Sequence, residues 1–170
     1  MALTKIQSLG ITDGTIVNAD INASAAIAGT KLSGAGKVLQ VITATDDTSR
    51  TTTSATYVTG SNTLSVSITP ASASNKVFIN VTGSHLGSAG STAFYTIFRN
   101  STNIGSSNGL SMMNNGATTG GMGFGMSVLD SPNTTSAITY QVYMKIASND
   151  TATINASNVR GTITAFEIAG

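Results

Sequence analysis

The chain has 170 residues, no cysteine, one histidine, and only 9% charged residues with a formal net charge of +1. That length is one domain by the usual prior, and the absence of cysteine excludes disulfides, thiolate metal sites and cysteine nucleophiles. Ser, Thr, Asn and Gly fill 81 positions, charge lies far below the ~25% of an average domain, and the eight scattered basic residues make no patch against a phosphate backbone, so no nucleic-acid partner is expected.

The opening MALTKIQSLG lacks the continuous apolar stretch of a signal peptide. No run approaches the ~20 apolar residues that span a bilayer, so a soluble, unprocessed chain without membrane insertion is expected. In the next stretch, ITDGTIVNADINASAAIAGTKLSG at 11–34, the large aliphatics are Ile11, Ile16, Ile21, Ile27 and Leu32. At i to i+5 they fall about 140° apart on a helix and would smear around it, which disfavours a regular amphipathic helix. Nor do they alternate as in a strand. So few aliphatics per stretch cannot bury against one another within a single chain. They can if several copies wind about an axis, each contributing one aliphatic per level while Gly, Ala, Asn and Asp make the turns. Residues 1–36 are therefore expected to be an extended, trimerising and anchoring arm, its oligomer contacts being Ile11, Ile16, Ile21, Ile27 and Leu32. The competing reading is an arm that docks on a partner as an extended strand. Asp13–Gly14 fits a turn, and Gly34-Ala35-Gly36 fits a hinge to the following domain.

From residue 37 onward the period changes to two, which places successive side chains on opposite faces of a sheet. Leu64, Val66 and Ile68 alternate with Ser65, Ser67 and Thr69 before Pro70; Val77, Ile79 and Val81 repeat the pattern. The longest instance sets Ile138, Tyr140, Val142, Met144 and Ile146 against Thr139, Gln141, Tyr143 and Lys145. Strands are expected near 37–44, 55–59, 62–69, 76–83, 93–99, 121–129, 136–147 and 158–168, with turns at DDTS, PASASN, MNNG, DSPN and SND between them. In GGMGFGMSV at 120–128, Met122, Phe124, Met126 and Val128 share one face, and Gly121, Gly123 and Gly125 share the other, which permits close approach of another backbone, subunit or ligand. A flexible Gly-rich edge is the plainer alternative. The expected fold is all-β, with residues 37–170 forming an antiparallel β-sandwich head of jelly-roll type.

ITDGTIVNADINASAAIAGTKLSG resembles the linker repeats of bacteriophage tail-fibre and related virion fibre proteins. LSVSITPASASNKVFINVTGS, YTIFRNSTNIG and the closing RGTITAFEIAG are similar to the carboxy-terminal head of the same proteins. The resemblance implies a homotrimer on the virion surface, made in the host cytoplasm, attached to capsid or tail proteins by one end and displaying a β-rich head. Such fibres commonly run to several hundred residues, so a short head fibre, a capsid decoration protein or a small tail appendage competes with a long host-recognition fibre.

Chemistry finds little foothold. His85 is alone, and a zinc site would need several of only seven acidic residues to converge on it; a loop or surface position is expected. No G-x-S-x-G elbow is present, GAGKV at 34–38 fails the P-loop pattern, and Asp46 and Asp47 are adjacent in a turn rather than paired across a cleft. The six N-x-[ST] sequons are close to what this composition yields by chance. No enzymatic activity, cofactor or metal is expected. Two functions remain. One is a structural trimer fixed to the particle; the other is a receptor-binding head whose loops, around 101–120, bind a host surface glycan or protein. Against the second, Phe94, Phe98, Tyr140 and Phe166 are expected in the core rather than free to stack on sugars.

Overall fold

The computed structural model describes residues 37–147 and 150–170. Its strands are β1 (Val38–Asp46), β2 (Arg50–Thr52), β3 (Ser65–Ile68), β4 (Lys76–Gly87), β5 (Thr92–Arg99), β6 (Thr102–Asn103), β7 (Ser111–Asn114), β8 (Gly120–Asp130), β9 (Ile138–Ile146), β10 (Ala152–Ile154) and β11 (Gly161–Ile168). A single 3-10 turn, Ala156–Asn158, joins the last two, and no α-helix occurs among the described residues. The arm assigned to residues 1–36, with its five aliphatic contacts, lies outside the described residues.

All strand pairing is antiparallel, in two sheets. The six-stranded sheet runs β1–β11–β4–β10–β2, with β8 on the other edge of β4. β4 is its hub: Thr82 lies opposite Thr162 on one side and Gly125 on the other. The five-stranded sheet runs β3–β9–β5–β6, with β7 also on β5. Alternation along each strand supplies one shared core. Val77, Ile79, Val81, Ile163 and Ala165 come from the first sheet, and Val66, Ile97, Tyr140, Val142 and Met144 from the second. Tyr95 of β5 stacks on Phe124 of β8 with centroids 4.3 Å apart, which fixes how the sheets face each other.

The long alternating runs fold as expected, and β9 buries every second residue from Ile138 to Ile146. Differences fall where the pattern is short. The run at 55–59 contributes only the bridge Val58–Met144, while β2, β6, β7 and β10, of two to four residues, were not anticipated. β4 continues past residue 83 to Gly87 because Gly83, His85 and Gly87 keep the inward parity of Val77 and Val81.

Candidate interaction surface

In the six-stranded sheet, the residues alternating with the core positions share the outer face, and register sorts them into rows. One row is Val41–Phe166–Phe78–Leu129; the next is Thr43–Thr164–Asn80–Ser127; the third is Thr45–Thr162–Thr82–Gly125. Beyond these, Ser84 lies opposite Gly123 and Leu86 opposite Gly121. None of these positions is charged. The large apolar groups are concentrated at the end where β1 begins: Val41 is 53% exposed, Leu129 52% and Val38 49%. The rings of Phe78 and Phe166 lie 6.1 Å apart, and with Val38, Leu129 and Ile168 they line a groove of about 370 Å³. The middle rows are hydroxyl and amide, with Thr43 Oγ1 and Thr164 Oγ1 3.1 Å apart.

Gly121, Gly123 and Gly125 of β8 occupy this outer face, as their parity requires, and Phe124 and Met126 fill the core behind them. A Cβ on Gly123 or Gly125 would meet only the carbonyl of the paired strand, at 3.8 or 3.7 Å. With Leu86, Met122 and Val159 as walls, Gly121 and Gly123 floor a second groove of about 330 Å³.

The outer face of the five-stranded sheet is different, because the chain covers it itself. Thr96 points away from the core yet has no exposed surface: its Oγ1 donates to Asn103 Oδ1 at 2.6 Å, and residues 104–110 lie across it. Leu110 N donates to the Tyr95 carbonyl at 2.9 Å, and Lys145 Nζ donates to Ser107 O at 2.8 Å while lying over the rings of Tyr57 and Phe94. Phe98 stacks on Tyr143 at 4.0 Å. Two expectations change as a result. Residues 101–120 are not one free loop: β6 and β7 are paired to β5, and the segment between them is held down on the sheet. Of the four aromatics expected in the core, Tyr140 belongs to the cluster between the sheets and Phe94 is buried beneath Lys145, whereas Phe98 is half-buried against Tyr143 and Phe166 faces outward on the other sheet.

His85 is also placed differently from expectation. It is fully buried on the inward face of β4, with Nδ1 2.6 Å from Tyr95 Oη and Nε2 2.8 Å from Asn115 Oδ1. Asn115 Nδ2 donates to Gly87 O and Gly120 O, which fixes the amide orientation and leaves Oδ1 to accept a hydrogen bond from Nε2–H. Nδ1 of a neutral ring must then accept, and the single phenolic proton of Tyr95 has two acceptors in reach, Nδ1 and Thr153 O at 2.7 Å. Burial pushes the imidazole below its ordinary pKa, against the opposing pull of Asn115 and Thr153. The parity of Val77, Ile79 and Val81, continued two steps, is the sequence signal for this position. A ring with both nitrogens engaged and no exposure is a structural polar core.

The remaining sequence candidates are scattered. Asp46 is buried at the end of β1 and accepts from Thr48 N and Thr63 N, whereas Asp47 is exposed and 3.6 Å from Arg160. Asn155, the head of one sequon, has no exposed surface. Among the described residues no three His, Asp or Glu side chains gather as a metal site.

The fold and this surface define an all-β, sandwich-like protein with one sheet face covered by its own chain and the other open, its three full rows uncharged and Lys76 at its margin. No family model matches the chain, and no curated protein matches it.

Proposed function

We propose that the chain is a structural component of a bacteriophage virion, a short homotrimeric fibre or decoration protein held to the particle through residues 1–36 and displaying the β head. The observation that carries this reading is the open outer face of the six-stranded sheet, whose three full rows hold no charged residue. Hydroxyl and apolar groups can enter a subunit contact without the desolvation penalty of buried ions. The aliphatic spacing of residues 11–32 supports assembly independently, and the resemblance of that segment to phage fibre linkers supplies the setting. The distribution of strands supports a jelly roll: β1, β4, β8 and β11 form one sheet and β3, β5, β7 and β9 the other, with β2, β6 and β10 as short additions.

Light scattering on the full-length chain tests the assembly, and the expected mass is three times 17.1 kDa. A mass of one chain refutes it. Electron cryo-microscopy of particles made with and without the protein tests the setting: a density on capsid or tail that disappears with the chain is expected, and no difference at either place refutes a virion role.

A further inference from the structure

The proposed trimer leaves open which surface of the head touches its neighbours. We infer that the row Val41–Phe166–Phe78–Leu129, with Val38 and Leu39 beside it, is the face on which copies of this chain meet, and that its occupant is the same row of the other copies, the rows converging on the three-fold axis. The inference rests on the homotrimeric reading above and adds to it the partner and the residues in contact.

Position argues first. Val38 is the first strand residue after the 36-residue segment and lies six residues after Leu32, the last of its expected contacts; at ~3.6 Å per residue, an assembly that gathers Leu32 of the copies holds Val38 of each within ~22 Å of that point. The row crosses the sheet at that same end, where Ile168, the last residue of β11, lies opposite Val38. Composition argues next. The large apolar side chains of this end gather in this row and in Val38 and Ile168 beside it, with the hydroxyl and amide row Thr43–Thr164–Asn80–Ser127 on one side and Lys76, opposite Ile168, on the other, the arrangement of a contact core with a polar rim. Surfaces related by symmetry must tolerate their own likeness. Val, Phe and Leu do so; a charged row would repel itself.

The competing occupant is the amino-terminal segment of the same chain, and its spacing fits poorly. Four neighbouring strands span three inter-strand distances, ~14 Å in all, whereas aliphatics five or six residues apart in an extended segment lie ~17–20 Å apart. Such a segment could seat only one aliphatic on the row.

Since the chain contains no cysteine, each introduced one is unique. Full-length Val41→Cys is compared with Asn108→Cys, an exposed position in the segment covering the opposite sheet, after oxidation and after treatment with a short bis-maleimide. Both proteins are expected to keep the trimer mass, with covalent dimers formed by Val41→Cys and not by Asn108→Cys. Trimers without a Val41→Cys cross-link under either treatment, or with equal cross-linking at Asn108→Cys, overturn the inference and leave the trimer standing. A single-chain mass overturns both. An internal cross-link in a monomer-sized band of the double variant Ile16→Cys/Val41→Cys assigns the row to the chain's own segment and overturns the inference as well.

Discussion

Glu167 shows how a carboxylate can stabilise this fold from inside it. It lies on the inward face of β11, 1% exposed, and accepts three hydrogen bonds: Oε1 from Ala71 N at 2.6 Å and Asn75 Nδ2 at 2.5 Å, and Oε2 from Gln40 Nε2 at 2.6 Å. Gln40 Nε2 also donates to Thr69 O, and Asn75 Oδ1 accepts from Gly170 N. One group thereby ties together β1, the turn between β3 and β4, and the end of the chain. Glu167→Gln keeps the shape and removes the charge. The amide oxygen can keep the bonds to Ala71 and Asn75, each weakened by ~1 kcal/mol as it ceases to be charge-assisted. The new NH₂ faces Gln40 Nε2, donor against donor, so Gln40 must turn and give up Thr69 O, for ~1 kcal/mol more. The expected loss is about 3 kcal/mol, roughly 10 °C in Tm for a head of this size.

The same loss must depend on pH. Burial pushes the Glu167 carboxyl up, but the bonds from Asn75, Gln40 and Ala71 outweigh it and hold the pKa below the ordinary 4.5. The folded value is then below the unfolded one. Its stabilisation is complete above pH ~4.5 and is lost as pH falls through the folded value. Asp46, whose carboxyl is likewise held low by bonds from Thr63 and Thr48 against the effect of burial, titrates in both proteins and cancels from the comparison. Thermal unfolding of wild type and Glu167→Gln at fixed protein concentration, from pH 7 to pH 3, should show the gap narrowing at the acid end. A gap that is constant across that range, or smaller than ~2 °C at pH 7 by the same conversion, would refute the account.

Two further predictions follow from β4 and β8. Gly83→Ala places a methyl 2.9 Å from Cε1 and Cζ of Phe124, whose ring is already stacked on Tyr95, and should cost about 1–3 kcal/mol in urea unfolding. Gly123→Ala, on the open face, meets nothing closer than 3.8 Å and should be neutral or stabilising by up to ~1 kcal/mol; equal losses for the two would contradict the assignment of faces. His85 should titrate below 6.5 by NMR of the only imidazole in the chain, and since the unfolded ring takes up its proton first, its share of stability should fall as pH drops below 6.5; a midpoint above 6.5 would contradict its burial.

Period-two runs made most of the sandwich legible in the sequence. Val77–Val81 and Ile138–Ile146 alternate for long enough that one side of the sheet is specified. β2, β6, β7 and β10 have two to four residues, at most two periods, and nothing in their composition separates them from turns. At β11, polarity points the wrong way. In TITAFEI, Phe166 would be assigned to the core and Glu167 to solvent, yet Ile163 and Ala165 hold the register, so the glutamate goes in and the phenylalanine comes out. The donors that make this possible, at positions 40, 71 and 75, are remote in sequence and leave no local trace. The outward apolar row was hidden for the same reason: its four members come from four strands and meet only through register.

The strength of that row bears on how the proposed assembly would work. Val38, Leu39, Val41 and Leu129 are each about half exposed, so covering the remainder is worth ~1 kcal/mol apiece, or about 4 kcal/mol per subunit with the rings adding somewhat more. Bringing free heads together costs an estimated 4–15 kcal/mol in translational and rotational freedom, and the ~8 kcal/mol from the two sides of such a contact falls within that range and leaves little surplus. Tethering changes the balance, because chains already joined through another segment meet at an effective concentration in the millimolar range and no longer bear that cost in full. In the proposed trimer the amino-terminal segments hold the copies together and the apolar row sets the angle between heads. On this account the row should be weak by design of its size, dry only in the assembled chain, and exposed whenever the segments part.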